Sequence, residues 1–386
     1  MSDDPELKTL LNDDLTDTIG VVVGTRPSIV MFSPIIRALE QREQNYFVVH
    51  TGQHYSDNMD AQFFRDLNLP EPDYKFEHVK ECIYHGEQTA EMLKGCEQVF
   101  LDERPRVVLV GGDANFNLAG ALAARKLHIR IGHVEAGARS GNWEMPEEHN
   151  RVILDHISEY LFTTNEGGRA NLETDNVAGD VHVVGNPIVD AATQNLEIAR
   201  ERSDALEQFG LTAGEYALLT LHREENVDTE ANLRDALEGV KQIIERFDMP
   251  VLFLAHPRTQ DRIEKFGMAA DVATVDSLVY TDAVGYLDFL RVLDSASVTL
   301  TDSGGVQQES CILGIPCVTL RERTEWDETL DIGANTLVGT DPERIVEGVA
   351  RMRDADTGWE TPFGDYGSAE RIVDVAQRAV AGEDGW

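Results

Sequence analysis

The chain has 386 residues, 42% of them hydrophobic, which is enough to bury the cores of two domains of ordinary size. Its formal net charge is −37, from 33 Lys and Arg against 70 Asp and Glu spread along the whole sequence, and such a surface repels nucleic acid and anionic lipid headgroups. We read that acidity as adaptation to a high-salt cytoplasm, since in molar salt a Debye length of roughly 3 Å screens the self-repulsion.

The four cysteines, Cys82, Cys96, Cys311 and Cys317, have neither CxxC spacing nor a His-rich companion, which argues against a zinc site or a disulfide framework. The stretch "MSDDPELKTLLNDDLTD" lacks the basic and apolar regions of a secretion signal, and no 18-residue apolar run occurs. A cytoplasmic protein without membrane association is the expectation.

Short apolar runs bounded by Gly, Pro or Asp alternate with amphipathic stretches, the pattern of repeated β-α units and parallel sheets. "TIGVVVG", "NYFVVHTG", "RVVLVGGD", "IRIGHVE", "EYLFTT" and "VHVVGNP" predict six strands in a first doubly wound domain over 1–188. After the helical "NLEIARERSDALEQFG" the pattern restarts with "YALLTLH", "PVLFLAHP", "VATVD", "ASVTLTDSGG" and "PCVTLRE", predicting a second domain over 189–365. A last helix within 366–386 is left to either domain, with packing back on the first as one option. The expected fold class is α/β, two Rossmann-like doubly wound domains facing a cleft, because open parallel sheets bind ligands beyond the carboxyl ends of their strands.

The chemistry-bearing motifs fall just past predicted strands. In "TDSGGVQQE" (301–309), Ser303 is placed to cap a helix, Gly304 and Gly305 let backbone N–H groups approach a phosphate, and Glu309 lies within reach of ribose hydroxyls. A nucleoside diphosphate is the expected ligand. "GTRPS" (24–28) offers Arg26 as a forked phosphate donor but lacks GxGxxG, so no NAD or FAD site is read; a structural turn is the alternative. "GGDAN" and "GHVEAG" put Asp113 and Glu135 at strand ends, and Glu147 opens the helix "PEEHNRVILDHIS" beside Glu148. Helix-dipole complementation alone explains acids at that helix start, yet carboxylates gathered in one cleft can divide acid and base roles. "LHREEN" and "AHPRT" present His222 and His256 for work on a leaving phosphate. Phe289 in "YLDFL" reads as core or as a neighbour of a nucleotide base.

Taken in order, "GTRP", "TGQHY", "GGDAN", "GHVEAGARS", "MPEEHNR", "LHREEN", "YLDF", "TDSGGVQQE" and "TEW" resemble the non-hydrolysing UDP-N-acetylglucosamine 2-epimerase family across residues 19–355. The resemblance implies a GT-B fold and interconversion of UDP-N-acetylglucosamine and UDP-N-acetylmannosamine through loss of UDP and a glycal intermediate, with no cofactor or metal. By that resemblance Asp113, Glu135, Glu147 and His222 fall on catalytic positions. Arg26, Phe289, Ser303, Gly304, Gly305 and Glu309 fall on positions that hold UDP, and Arg151 and His256 complete the substrate-binding set.

Met31, Glu224 and Trp326 stand where many members carry cations, which opens the identity of the sugar, including a UDP-diacetamido-glucuronic acid. "TGQHY" (51–55) sits where bacterial members bind substrate allosterically. A homodimer is expected. The rivals are a hydrolysing epimerase, a GT-B glycosyltransferase and a catalytically dead nucleotide-sugar sensor; the surplus of acids in the first domain argues against the second, and intact Asp113, Glu135, Glu147 and His222 against the third.

Overall fold

The structure, a computed structural model, describes residues 15–52 and 57–383, with the backbone alone for 57–60. The chain divides into two compact units, one formed by the residues up to Ala191 together with those from Phe363 onward, the other by Ala192–Pro362.

The first unit is built on a seven-stranded parallel sheet of β1 (Thr16–Val23), β2 (Tyr46–His50), β3 (Tyr74–Lys75), β4 (Pro105–Gly111), β5 (Arg130–Val134), β6 (Tyr160–Thr163) and β7 (Asp180–Val183). Its strands lie in the order 3-2-1-4-5-6-7. Helices cover both faces, so β1 carries an unbroken apolar run in which Ile19, Val21, Val22 and Val23 are fully buried. The strand order reverses between β1 and β4, the switch point where open sheets leave a ligand crevice.

The final helix, Ser368–Ala381, belongs to this unit. Asp190 accepts from the backbone N–H groups of Gly367 and Ser368 at 2.8 and 3.0 Å, satisfying two donors at the helix start. Arg42, just past the helix Arg26–Gln41, pairs with Asp374 at 2.6 Å and with Glu370.

The second unit repeats the plan with six parallel strands: β8 (Ala217–Thr220), β9 (Val251–Ala255), β10 (Leu278–Asp282), β11 (Val298–Thr301), β12 (Cys317–Thr319) and β13 (Asn335–Leu337), ordered 10-9-8-11-12-13. Its switch point lies between β8 and β11. Leu219, Leu221, Val251, Phe253, Val298 and Leu300 are buried in one apolar cluster with the helix Glu230–Phe247.

The strand expected at "VATVD" is not there. Val272 lies buried in the short helix Ala269–Ala273, and the chain turns at Ser277 (φ 65°) into β10, an edge strand with no fully buried residue, which hides its apolar signal. The two-residue β3 and three-residue β13 are too short to leave a periodic pattern. Gln53, His54 and Tyr55 of "TGQHY" lie outside the described residues, as does the stretch 1–14. Among the described residues no helix is long and apolar enough to cross a membrane.

Candidate functional site

Three turns at the carboxyl ends of strands carry the candidate residues of the first unit. After β1, a Cβ on Gly24 would stand 2.5 Å from Phe116 and Thr51, so only glycine fits. Ser28 Oγ then accepts from the N–H groups of Gly24 and Thr25, each at 3.1 Å, and places Arg26 at the first position of its helix. The Arg26 guanidinium lies over the Phe63 ring, 5.5 Å from its centroid.

After β4, Gly112 takes φ 78°, and Asn117 clasps Gly111, accepting from its N–H at 3.0 Å and donating to its carbonyl at 2.5 Å. Asp113 follows, ion-paired with Arg151. After β5, Glu135 adopts φ 67°, a left-handed conformation that costs a non-glycine residue on the order of 1 kcal/mol or more. Burial, then the charge of Asp113, push its carboxyl up to about 7, against the opposing charges of His133 and Arg151. Asp113, Glu135 and Arg151 therefore share one neighbourhood. Met31 borders it, with its sulfur 3.3 Å from where a Gly111 Cβ would stand.

The helix Pro146–Ile157 resolves the ambiguity of its two leading acids. Glu148 is buried and accepts from Ser140 N and Oγ, each at 2.9 Å, from Gly141 N at 3.2 Å and from Arg151 at 2.8 Å. Burial alone would raise its pKa, but these donors prevail and hold it down at about 2. Glu148 is thus a fixed anion that orders the 140–141 turn and Arg151. The Glu147 side chain makes no hydrogen bond or ion pair with any described residue. Asn150, one turn on, donates to the Asp113 carbonyl at 2.8 Å.

In the second unit, the acid that closes β11 organises the turn after β8. Asp302 is fully buried and accepts from the backbone N–H of His222 at 3.1 Å, that of Arg223 at 3.0 Å and Asn226 Nδ2 at 3.1 Å. His222 Nδ1 approaches it at 3.0 Å. Burial opposes the charge of Asp302, yet the hydrogen bond and charge of His222 and the remaining donors keep it below the ordinary carboxylate range. With Nδ1 facing Asp302, His222 turns Nε2 away from that acid. Sequence reasoning placed His222 and missed its orienting acid, although "TDSGG" displayed it.

His256 lies 5.7 Å from the His222 ring and accepts at Nδ1 from Arg258 N at 3.2 Å. Partial burial, then the charges of His222 and Arg258, lower its pKa.

Ser303 occupies the N-cap of the helix Gly304–Ile312, but its side chain makes no capping bond, contrary to the cap expected from sequence; its N–H donates to Thr301 Oγ1 at 3.0 Å instead. The Gly304 and Gly305 N–H groups lie in the first turn of this helix, where no intrahelical acceptor exists. Trp326 Nε1 stands 3.3 Å from where a Gly304 Cβ would be, so the indole lies against the glycine turn. Glu309 is buried, which pushes its carboxyl up to about 7 despite the 2.8 Å bond donated by Tyr286. Phe289, on the same helix as Tyr286, is half-buried against the apolar cluster of Tyr216, Leu218 and Leu252. Glu224 meets Arg258 at 2.8 Å, and Asp228 binds Arg258 and Arg262.

Residues 37–377 match the family model described as UDP-N-acetylglucosamine 2-epimerase. The chain belongs to this family. A UDP-N-acetylglucosamine 2-epimerase of Methanocaldococcus jannaschii is 46% identical over 360 residues, covering 92% of this chain and 98% of the relative. A UDP-2,3-diacetamido-2,3-dideoxy-D-glucuronate 2-epimerase of Pseudomonas aeruginosa is 40% identical over 336 residues, with coverage of 85% and 90%. A solved structure of the M. jannaschii UDP-GlcNAc 2-epimerase in complex with UDP-GlcNAc and UDP is 46% identical, with a TM-score of 0.79 and coverage of 93% and 99%. Two parallel-sheet α/β units form the GT-B-like fold of this epimerase family.

Proposed function

We propose that the chain is a non-hydrolysing UDP-N-acetylglucosamine 2-epimerase, an isomerase that interconverts UDP-GlcNAc and UDP-ManNAc by eliminating and re-adding UDP through a 2-acetamidoglucal. The observation that carries this reading is the Asp113, Glu135 and Glu147 set, in which one carboxyl is held up near neutrality, one is paired with Arg151 and one is unpaired.

The C2–H bond of the sugar is hardly acidic, because no carbonyl adjoins it. Departure of UDP from C1 as the proton leaves C2 places the developing charge on a phosphate instead. A carboxylate takes the C2 proton, the C1–O bond breaks toward UDP, and a second carboxylic acid returns a proton to the opposite face as UDP adds back. Asp113, Glu135 and Glu147 supply these protons. His222, aligned by Asp302, acts on the leaving phosphate, and Arg151 and His256 take part in holding the substrate. The Gly304 and Gly305 N–H groups, Ser303 and Arg26 hold the diphosphate, Glu309 the ribose, and Phe289 the base.

Met31 and Trp326 bring no formal charge beside the site residues, and the Glu224 carboxylate engages Arg258 at 2.8 Å, so none of the three positions supplies a cation. That balance favours a neutral N-acetylhexosamine over a uronate sugar. Incubation with UDP-GlcNAc and, separately, with UDP-2,3-diacetamido-glucuronate, followed by NMR identification of every product, tests the assignment: UDP-ManNAc from the first is expected. Free ManNAc with UDP would indicate the hydrolysing reaction, and turnover of the uronate alone would reassign the substrate.

We further place the enzyme in a high-salt cytoplasm, as a homodimer supplying N-acetylmannosamine units for polysaccharide biosynthesis. The charge of −37 supports the salt, and the unpaired Cys96, Cys311 and Cys317, all buried, suit a reducing compartment. Light scattering at molar salt reads the oligomeric state.

A further inference from the structure

The "GHVEAG" turn contains a second titratable side chain that the reaction above does not use. His133, on β5, is 1% exposed, and both of its ring nitrogens meet acceptors. Nδ1 lies 2.7 Å from Asp155 Oδ1, and Nε2 lies 3.1 Å from the carbonyl oxygen of Gly112. Each nitrogen is thus within hydrogen-bonding distance of an oxygen carried by a different segment, the helix Pro146–Ile157 on one side and the turn after β4 on the other.

The acceptors themselves are held in place. Asp155 is fully buried on the helix Pro146–Ile157, accepts from Gly137 N at 3.2 Å, and pairs with Arg139 at 2.7 Å. Arg139 is in turn held by Asp175 at 2.7 Å. Gly112 donates its own N–H to the Val134 carbonyl at 3.0 Å. Asp113 follows Gly112 directly, and Glu135 sits between Val134 and Ala136 in its left-handed conformation. One ring therefore ties together the two strand ends that carry Asp113 and Glu135, and it reaches the helix that carries Glu147.

We propose that His133 is a positioning residue, a buried ring that bridges Asp155 and the Gly112 carbonyl through its two nitrogens and so locks the Asp113 and Glu135 turns together. Facing His133 is Asp155, with Arg139 behind it.

The inference rests on the epimerase reading for its kinetic arm only. In His133→Gln, kcat is expected to fall about 10- to 100-fold, the scale of a misplaced catalytic group, with UDP affinity by calorimetry unchanged. An unchanged kcat, or UDP affinity falling in step with kcat, would overturn the proposal.

The second arm needs no turnover. Hydrogen exchange of the Gly112 and Gly137 backbone N–H groups is expected to be faster in His133→Gln than in the unsubstituted protein. Unchanged exchange in a folded variant contradicts the proposal whatever reaction the protein catalyses.

Discussion

The two sheets run their strands in the same order about their switch points, yet equivalent turns hold different chemistry. The turn after β4 leads with Asp113, partly exposed and paired with Arg151; the turn after β11 leads with Asp302, fully buried and saturated by donors from the β8 turn. An accessible acid can exchange protons, whereas a buried and saturated one can only orient its partners. The helices that follow differ in the same sense. In the first unit a side chain, Asn117, satisfies the polar groups of Gly111, whereas in the second the Ser303 hydroxyl caps nothing and leaves the first turn open to an anion. On the proposed function, one architecture serves proton transfer in one unit and diphosphate binding in the other, through the neighbours given to a single acid.

The largest expected effects break the first half of this comparison. Asp113→Asn or Glu147→Gln removes a proposed proton-transfer group, and epimerisation should slow by about 10²-fold or more while calorimetry finds UDP affinity unchanged. Near-normal turnover in both variants would return these acids to the acidic surface. On the other side, Asp302→Asn should lower kcat roughly 10- to 100-fold by releasing His222, and it should also destabilise the fold, because backbone donors lose a charged acceptor. Loss of activity without any fall in melting temperature would contradict the orienting role.

Next comes binding. Gly304→Val puts side-chain carbon against Trp326 and the anion-facing N–H groups, and should weaken UDP by about 1 to 3 kcal/mol in calorimetry. Equal affinity in a folded variant would remove the glycine turn from the site.

Smaller effects separate adjacent acids by stability. Glu148→Gln should cost about 1 to 3 kcal/mol near pH 7, because Ser140, Gly141 and Arg151 lose a charged acceptor, whereas Glu147→Gln should leave thermal unfolding unchanged. Glu135 and Glu309, both held near 7, act in the opposite sense. Their folded forms bind protons more tightly than the unfolded chain, so the stability they contribute is complete below about pH 4.5 and is lost as pH rises through about 7. Glu309→Gln should therefore raise the melting temperature at pH 8 and not at pH 4, while UDP binding weakens. A melting temperature unaltered at both pH values would show that burial is not what shifts Glu309.

What the sequence disclosed follows from what local pattern records. Fully buried parallel strands such as β1 and β4 appear as apolar runs ending in Gly or Asp, so the strand ends, and with them Asp113, Glu135 and the Ser303 turn, were readable. The edge strands were not, because β10 has no fully buried residue and β3 is two residues long. Partners distant in sequence also left no local trace. Asp302 reaches His222 across 80 residues, and Asp155 meets His133 across 22, contacts fixed only when the sheet forms. Adjacent identical acids were equally opaque: Glu148 is turned by the first turn of its helix toward Ser140 and Arg151, whereas the Glu147 side chain has no partner among the described residues.

Deuterium at C2 tests the central claim most directly, namely that the carboxylates of the first unit exchange a proton with the sugar while the second unit holds UDP. Carboxyl protons exchange with solvent between turnovers, so the proton delivered to one face need not be the one removed from the other. With UDP-GlcNAc in D2O, the account predicts deuterium at C2 of UDP-ManNAc and, in time, of the recovered substrate. Epimerised product that retains its original C2 hydrogen would contradict it.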